Sequence, residues 1–373
     1  MSPTDNDWLS DLTSPHVQQL TPYESARRLF SAADSSAQDV TKSKRVWMNA
    51  NESPFSQAYQ INSEFYNRYP DCQPDEVVNA YASYAGVTKA QTLVTRGADE
   101  GIELIIRAFC EAKKDKVLIC PPTYGMYAIS AQTFDVGVEK VVLNQDFSLN
   151  VDRVCSHVDD VKVVFICSPN NPTGTRVSTD VIKAILDAYK NKAIVVLDEA
   201  YIEFDYAHKQ TELLAKYSNL VILRTLSKAF ALAGLRCGFT LASPAIIQTL
   251  LKVIAPYPIA APVAQIASAA LSPSGVEYMG KQVSVLNHAL ISMKAQLGDI
   301  GDIKIVGNTF GNFVLFRTAQ KKALMDYLVS HSMLIRDQSK QINLHDCLRI
   351  SIGDEQQNTQ LLNLITAFFA NGN

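Results

Sequence analysis

Five side chains with chemically distinct functions follow one another in the middle of this chain. Asn171 lies in SPNNPTG, Asp198 and Tyr201 lie in LDEAY, Lys228 lies in TLSKAF, and Arg236 lies in GLRCGF. A lysine amine forms a Schiff base with a carbonyl compound, a carboxylate holds a ring nitrogen protonated, and an arginine grips a phosphate. This ordered set is what pyridoxal phosphate requires, and it predicts that cofactor.

The surroundings of Lys228 favour a chemical role over a surface role. Most lysines are solvated, but Lys228 follows an apolar strand-like run and has small or apolar neighbours such as Leu226, Ala229 and Phe230. Partial loss of solvation lowers the pKa of a lysine and makes it a usable nucleophile and proton carrier. We therefore expect Lys228 to be the covalent attachment point.

The predicted ring contacts begin with Asp198, which ends the apolar run AIVVLD. A carboxylate is costly there unless a cation meets it, and a protonated pyridine nitrogen is such a cation. The alternative, an N-cap for the next helix, stays open for Glu199. Tyr201 and Asn171 are predicted to hydrogen-bond the ring oxygen O3′. Tyr124, in PPTYGMY, is a candidate for stacking on the ring, although a lone aromatic residue is more often core.

The predicted phosphate site begins at a glycine turn that opens a helix, in TRGADEGIELIIRAF. The backbone amides of Ala98 and Asp99 would lie at the positive end of that helix. A plain glycine turn capped by Asp99 is the favoured alternative if this motif is taken alone. Arg236 supplies an opposing charge, and Thr225 and Ser227 add hydroxyl donors beside Lys228.

Apolar strand-like runs alternate with helix-length amphipathic segments over much of the chain, which indicates an α/β fold. Residues 46–274 are predicted to form a large cofactor-binding domain, with a mainly parallel sheet covered by helices on both faces. The motifs fall at carboxyl ends of its strands, where such sheets bind ligands. Residues 275–373 predict a smaller α+β domain, residues 1–30 an N-terminal arm, and the polar residues 31–45 a mobile loop.

Composition excludes several classes of function. The chain has 373 residues, 47% of them hydrophobic, a net charge of −3 and a pI near 6.1, which argues against a nucleic-acid binder. Seven scattered cysteines without a metal-binding spacing indicate reduced thiols in the cytoplasm and no metal site. The start lacks the apolar run of a signal peptide. Residues 253–276 carry no charge, but three prolines break their first half, so we do not expect a membrane span.

Taken together, the motifs resemble those of the fold-type I pyridoxal-phosphate aminotransferases, the class I and II superfamily, and in particular the histidinol-phosphate aminotransferases. The resemblance runs from about Leu20 to Phe369. It rests on the motifs already given and on LTPYESARRL, WMNANESP, NRYPDCQP, APYPIAAPVA, LIRDQ and LRISIG. It implies ping-pong transfer of an amino group between L-histidinol phosphate and 2-oxoglutarate in histidine biosynthesis. The implied products are imidazole acetol phosphate and L-glutamate, and the resemblance also implies a homodimer.

The resemblance also assigns roles by position. Lys228, Asp198 and Tyr201 form the catalytic set. The implied cofactor contacts add Ala98, Asp99, Tyr124, Asn171, Thr225, Ser227 and Arg236, with Tyr69 in NRYPD reaching the cofactor phosphate of a partner subunit. The implied substrate contacts are Tyr23, Asn51, Arg336 and Arg349.

Three other functions stay open at this point. A threonine-phosphate decarboxylase shares the fold, the lysine and the phosphate-binding arginines. An aromatic amino-acid aminotransferase is less similar. A regulator that senses pyridoxal phosphate without turnover would need an attached DNA-binding domain, and we expect the arm before Tyr23 to be too short for one.

Overall fold

The computed structural model describes residues 7–22, 45–64 and 66–370. The sequence TPYESARRLF predicts a helix that Thr21 would cap, and all of it after Pro22 lies outside these ranges. The substrate contact predicted for Tyr23 and all but the last residue of the loop predicted at 31–45 also lie outside them.

The structure contains strands and helices in alternation. In chain order the strands are β1 (Val46–Trp47), β2 (Thr92–Thr95), β3 (Lys116–Ile119), β4 (Gly137–Lys140), β5 (Val163–Cys167), β6 (Ile194–Asp198), β7 (Leu220–Thr225), β8 (Gly238–Ala242), β9 (Lys304–Val306), β10 (Phe313–Arg317), β11 (Met333–Leu334), β12 (Arg336–Asp337) and β13 (Cys347–Ser351). The α-helices are α1 (Asp7–Leu12), α2 (Pro15–Gln18), α3 (Asp75–Ala85), α4 (Gly97–Phe109), α5 (Met126–Thr133), α6 (Val151–Ser156), α7 (Thr179–Ala188), α8 (Pro244–Leu250), α9 (Ala261–Ala270), α10 (Pro273–Gly298), α11 (Lys321–Ser330) and α12 (Glu355–Ala370). Short 3₁₀ helices cover Lys89–Gln91, Ile202–His208, Thr211–Ala215 and Ala233–Leu235.

A seven-stranded sheet forms the centre of the fold, with the order β2-β8-β7-β6-β5-β3-β4. Strands β4, β3, β5, β6 and β7 run parallel to one another. Strand β8 runs antiparallel to both β7 and β2. The predicted mainly parallel sheet is therefore confirmed, with one reversed strand between β2 and β7.

Both faces of the central sheet are buried, which explains why its strands are apolar at successive positions rather than at alternate ones. In β6, Val195 and Leu197 belong to one hydrophobic cluster, whereas Val196 belongs to the cluster on the opposite face. In β3, Leu118 and Val117 divide in the same way. Helices cover each cluster, so the carboxyl ends of the strands are where polar side chains gather.

The C-terminal part forms a second, four-stranded antiparallel sheet with the order β12-β13-β10-β9. The sequence predicts one strand over residues 333–337, and that prediction is wrong. The segment divides at Ile335 into β11, which pairs with β1, and β12, which pairs with β13. This division places Arg336 beside Arg349 in the register of β12 and β13.

Helix α9 occupies the middle of the uncharged stretch 253–276, and the first turn of α10 ends it. Helix α9 has Pro262 in its first turn. Helix α10 starts at Pro273, where the Ser272 hydroxyl accepts a hydrogen bond from the Gly275 amide at 3.2 Å. The sequence predicts this helix over residues 276–298, and the cap starts it three residues earlier. None of the helices in the described ranges combines the length and apolarity that a bilayer span needs.

Candidate active site

A cavity of about 820 Å³ lies at the carboxyl ends of the central parallel strands and is also lined by residues of β12 and β13. The structure brings into it all the predicted site residues that it describes, apart from Tyr69. These are Asn51, Ala98, Asp99, Tyr124, Asn171, Asp198, Tyr201, Thr225, Ser227, Lys228, Arg236, Arg336 and Arg349. Motifs that are separate along the sequence therefore line one cavity.

Lys228 follows β7 and is half-buried in this cavity. Its Nζ donates a hydrogen bond to the Ala50 carbonyl oxygen at 2.9 Å and lies 5.7 Å from the centre of the Tyr201 ring. Loss of solvation, followed by the positive charge of Arg349, lowers the pKa of Lys228 to about 8, although Glu52 acts in the opposite direction. About a tenth of this amine is therefore neutral, and nucleophilic, at pH 7, far more than for a solvated lysine.

Asp198 ends β6, and its exposed fraction is only 3%. Its Oδ1 accepts the Ala200 amide at 3.0 Å, and its Oδ2 accepts the Tyr127 hydroxyl at 2.5 Å. Burial raises the pKa of Asp198 to about 6, while these two hydrogen bonds lower it. The pKa of this carboxyl therefore lies close to neutral pH, and a cationic partner would favour its charged form.

The open alternative for Glu199, an N-cap, is wrong. Its Oε2 accepts a hydrogen bond from Arg224 Nε at 2.7 Å, and its Oε1 accepts the Gln210 amide at 2.9 Å. Arg224 is fully buried, with Glu203 as a second carboxylate 3.7 Å away. Glu199 therefore belongs to a buried ion cluster that joins β6 to β7.

The predicted phosphate-binding region contains the N-terminus of α4 and the side chain of Arg236. Arg236 Nη2 lies 3.2 Å from Asp99 Oδ2, and Arg236 Nη1 lies 3.3 Å from Ser227 Oγ. Thr225 Oγ1 donates to Ser227 Oγ at 2.9 Å. The alternative in which Asp99 caps the helix is wrong, because its carboxylate contacts Arg236 and the Tyr124 hydroxyl instead.

Two glycines permit the close packing around this region. A Cβ at Gly97, where φ is +76°, would lie 2.6 Å from Arg236 Nη2. A Cβ at Gly238 would lie 2.6 Å from the Ala98 nitrogen. Only glycine lets β8 approach the start of α4 so closely, and the first residues of that helix, Ala98 and Asp99, line the cavity.

Hydrogen bonds tie the predicted O3′ partners to the C-terminal sheet and to the segment after β1. Arg349 Nη1 donates to Asn171 Oδ1 at 2.5 Å, and its Nη2 donates to the Asn49 carbonyl at 2.9 Å. Asn51 Nδ2 donates to the Tyr201 hydroxyl at 2.9 Å. Residues from three distant parts of the sequence therefore fix one another's positions.

Two arginines line the cavity from neighbouring strands. Arg336 and Arg349 are direct partners in the antiparallel register of β12 and β13, which places their side chains on the same face. The sequence leaves open an alternative for Arg336, a surface pair with Asp337 or another acid. Asp337 accepts a hydrogen bond from Lys321 Nζ at 3.0 Å, and Arg336 lines the cavity.

Several cavity residues were not predicted from the sequence. Glu52, Gln338 and Gln341 line the same space, and Gln341 Nε2 donates to Gln338 Oε1 at 2.9 Å. Spacing could have indicated Gln338, since it lies two residues after Arg336 and so on the same face. Tyr127 reaches Asp198 from α5, and no sequence pattern indicated that contact.

Tyr69 lies apart from the cavity. Its side chain is 81% exposed and stacks on Tyr257, with ring centroids 4.4 Å apart and planes 12° from parallel. Tyr257 is itself half exposed. The two adjacent exposed rings form an apolar surface patch outside the cavity.

The side chains in the cavity fit pyridoxal phosphate. The Asp198 carboxylate is buried with only neutral donors, so a protonated ring nitrogen would complete its environment. The Arg236 guanidinium, the Ser227 hydroxyl and the N-terminal turn of α4, which also lines the cavity, match a phosphate dianion. Lys228 supplies an amine of lowered pKa between these two regions.

A mainly parallel sheet with a lysine, a carboxylate and an anion-binding helix end at its carboxyl edge defines the fold-type I class of cofactor-dependent transferases. Comparison with known proteins leads to the family itself. Residues 34–365 match the family described as aminotransferase class I and II, and the chain belongs to that family.

The similar proteins agree with this membership. The chain is 57% identical to a histidinol-phosphate aminotransferase of Pseudoalteromonas atlantica, over 98% of this chain and 96% of that protein. It is 48% identical to the one from Yersinia pseudotuberculosis serotype IB, over 96% and 90%. Among solved structures, the Clostridium acetobutylicum histidinol-phosphate aminotransferase has a TM-score of 0.78 at 26% identity, over 87% of this chain and 99% of that one. The Sinorhizobium meliloti enzyme, in complex with pyridoxal-5'-phosphate, has a TM-score of 0.83 at 21% identity, over 97% and 98%, which supports the fold.

Proposed function

We propose that this aminotransferase moves the amino group between L-histidinol phosphate and 2-oxoglutarate, with pyridoxal phosphate as its cofactor. The observation that carries the proposal is the pair formed by Arg336 and Arg349, which line the same cavity as Lys228 and Asp198. Histidinol phosphate has a phosphomonoester where amino acids have an α-carboxylate. Two guanidiniums suit that dianion better than one does.

The cofactor would be held at four regions of the cavity. Lys228 provides the covalent link, Asp198 pairs with the ring nitrogen, and Asn171 and Tyr201 hydrogen-bond the ring oxygen. Tyr124 lines the cavity as the candidate for ring stacking. The phosphate contacts would be Ala98, Asp99, Thr225, Ser227 and Arg236. Bound there, the cofactor supplies an electron sink for the electrons of the substrate Cα–H bond.

Lys228 is proposed to move the proton at the substrate Cα. A pKa of about 8 leaves enough neutral amine near pH 7 to accept a proton, and the protonated form is then acidic enough to return it. The Ala50 carbonyl that accepts a hydrogen bond from Nζ directs the amine within the cavity. The lysine thus serves first as the attachment point and then as acid and base.

Asp198 is proposed to keep the ring nitrogen protonated. Burial raises the pKa of Asp198 to about 6 in the absence of a cation, so pairing with a ring N–H would stabilise the ionised carboxylate. Tyr201 is proposed to donate to the ring oxygen with its hydroxyl, which Asn51 Nδ2 orients from the other side of the cavity.

The substrate is proposed to bind on the side formed by β12 and β13. Arg349 is already oriented by Asn171 and Asn49, so it would meet the carboxylate of glutamate and the phosphate of histidinol phosphate alike. Arg336 would add a second charge that the larger dianion uses more fully. Asn51 and, from the arm, Tyr23 are the remaining proposed substrate contacts.

We also propose a homodimer with shared sites. The support is Tyr69, whose exposed ring stacks on Tyr257 outside its own cavity. In this arrangement each Tyr69 hydroxyl would reach the cofactor phosphate of the other subunit. A cytoplasmic location is part of the proposal, and it agrees with the absence of disulfides among the cysteines in the described ranges.

Product analysis tests this function. The purified holoenzyme is incubated with 2-oxoglutarate and, in separate reactions, histidinol phosphate, phenylalanine or threonine phosphate. The proposal predicts stoichiometric glutamate and the highest kcat/KM with histidinol phosphate. Carbon dioxide release from threonine phosphate without glutamate would establish the decarboxylase instead, and a preference for phenylalanine would establish the aromatic aminotransferase.

A further inference from the structure

Tyr127 is a buried phenol that touches the carboxylate proposed to pair with the cofactor ring. It lies on α5 and is fully buried, and its hydroxyl donates to Asp198 Oδ2 at 2.5 Å. The other oxygen of Asp198 accepts only a backbone amide, that of Ala200. Tyr127 is therefore the side-chain donor that the structure places on this carboxylate among the described residues.

Aromatic packing fixes the position of the Tyr127 hydroxyl. The ring stacks on Phe165 of β5, with centroids 4.9 Å apart and planes 7° from parallel. The edge of Tyr124, itself a cavity residue, meets the ring at 86° with centroids 5.7 Å apart. Contacts with two aromatic rings hold the buried Tyr127 ring in place, so its hydroxyl orients the Asp198 carboxylate.

The ionisation of Asp198 depends on few favourable contacts. Burial raises its pKa, and the negative charges of Asp99 and Glu199 raise it further. The Tyr127 hydroxyl and the Ala200 amide lower it. The titratable groups around the carboxyl are Asp99 on α4, Tyr127 on α5, Cys167 on β5, Glu199 and Tyr201 after β6, and Lys228, which lines the same cavity.

Tyr127 remains a donor throughout the working pH range. Burial and the neighbouring Asp198 raise the pKa of the Tyr127 phenol well above its ordinary value. The phenol therefore stays protonated, and it stabilises the carboxylate form of Asp198 without carrying charge of its own.

We propose that Tyr127 is a positioning residue that holds the Asp198 carboxylate oriented and ionised toward the ring nitrogen of the cofactor. The inference rests on the proposed pairing of Asp198 with that nitrogen, and it does not depend on which amino-group donor the enzyme uses. Tyr127 lies outside the motifs around Lys228, and its hydroxyl would add control over the ionisation of Asp198. The geometry makes α5 part of the cofactor site.

The test uses Tyr127→Phe, which keeps the stacked ring and removes only the hydroxyl. The affinity of the apoprotein for pyridoxal phosphate is measured from pH 5 to 9. Losing a donor to the charged form raises the pKa of Asp198, so the acid limb of binding should move about one unit to higher pH. At pH 6.5 the affinity should fall about threefold, and the loss should approach about tenfold at pH 5.

A matched control and a direct readout separate this role from packing. Tyr189→Phe removes another buried phenol, which donates to the Val154 carbonyl at 2.6 Å outside the cavity, and it should leave the acid limb in place. The ¹³C resonance of the Asp198 carboxyl in the apoprotein, assigned by its loss in Asp198→Asn, should titrate at higher pH in Tyr127→Phe only.

An acid limb and a carboxyl titration that both stay at wild-type pH in Tyr127→Phe would overturn the proposal. If that variant does not fold, site-specific replacement of Tyr127 by 3-fluorotyrosine provides the second test. A stronger phenol donor should then move both titrations to lower pH, and an unchanged pH would again reject the role. Neither readout uses turnover, so a wrong substrate assignment and a wrong role for Tyr127 give different results.

Discussion

At the scale of single residues, the site depends on an amine and a carboxyl whose pKa values both shift toward 7. The cavity lowers the pKa of Lys228 to about 8 and raises the pKa of Asp198 to about 6. Both shifts come mainly from burial, which penalises the charged form of each group. A lysine and a carboxyl whose pKa values shift in opposite directions at one edge of the sheet indicate a functional site rather than a structural ion pair.

Removing Lys228 should abolish covalent attachment and proton transfer together. Lys228→Ala is expected to lose the absorbance of the lysine-bound cofactor and at least about 100-fold in rate, the size of a typical acid–base contribution. Borohydride reduction followed by mass spectrometry measures the attachment. A reduced cofactor adduct at the wild-type level in the variant would contradict the assignment.

Asp198→Asn should keep the fold and lose most of the turnover. The amide fills the same space and no longer stabilises a protonated ring nitrogen, so we expect a fall in kcat of about 100- to 1000-fold. Circular dichroism checks the fold, and single-turnover absorbance measures the rate. A near-normal rate in a folded, cofactor-loaded variant would refute the proposed pairing.

Arg336 and Arg349 should differ in which substrates depend on them. Arg336→Ala is expected to lower kcat/KM for histidinol phosphate about 10- to 100-fold more than for glutamate, since each charge-assisted bond contributes about 1.5–3 kcal/mol. Arg349→Ala should damage both half-reactions, because it contacts Asn171 as well as the substrate side. Equal losses for the two substrates in Arg336→Ala would reduce Arg336 to a structural residue.

At the scale of elements, the close approach of β8 to the start of α4 shapes the proposed phosphate site. Gly238→Ala would place a methyl group 2.5 Å from the Gly97 carbonyl carbon, so the helix end must move. We expect pyridoxal phosphate to bind about tenfold more weakly. Gly280→Ala, in α10 with no atom within 4 Å of its added Cβ, is the control.

That control should leave cofactor affinity unchanged and alter stability by no more than about 1 kcal/mol, in the stabilising direction. Fluorescence titration of the apoproteins with pyridoxal phosphate gives both affinities. If Gly238→Ala binds the cofactor as tightly as Gly280→Ala does, the approach of β8 to α4 has no part in phosphate binding.

Some strands and contacts could be predicted from the sequence, and others could not. The apolar runs predict six of the seven central strands to within two residues, because burial on both faces leaves a continuous pattern. The edge strand β4 is partly exposed, lacks that pattern and was not predicted. The division of residues 333–337 at Ile335 was not predictable, because β11 and β12 take their partners from distant strands. The contact of Tyr127 with Asp198 depends on how α5 packs against β5, and a single sequence does not contain that distance.

At the scale of the whole molecule, a cavity lined by residues from Asn49 to Arg349 requires nearly the entire chain. Arg349 hydrogen-bonds Asn49 and Asn171, so the C-terminal sheet, the segment after β1 and the central sheet meet at one guanidinium. The predicted domain boundary near residue 274 stays a prediction. Motifs that appear separate along the sequence form one site because these three regions fold onto one another.

A dimer with shared sites should allow two defective chains to complement each other. Tyr69→Phe and Lys228→Ala chains are unfolded together, refolded and assayed. Random pairing gives about half hybrid dimers, and each would contain one site with neither defect. Activity should therefore exceed the mean of the two parent variants. Activity equal to that mean, or a fully active monomer in sedimentation, would contradict the shared site.

The central claim is that one cavity accepts both a phosphomonoester amine and a dicarboxylate. Single-turnover absorbance of the holoenzyme measures this most directly. Histidinol phosphate alone should convert the bound cofactor to its amino form, and 2-oxoglutarate alone should then restore the original spectrum with one glutamate formed per site. A holoenzyme whose spectrum glutamate converts but histidinol phosphate leaves unchanged would contradict the account.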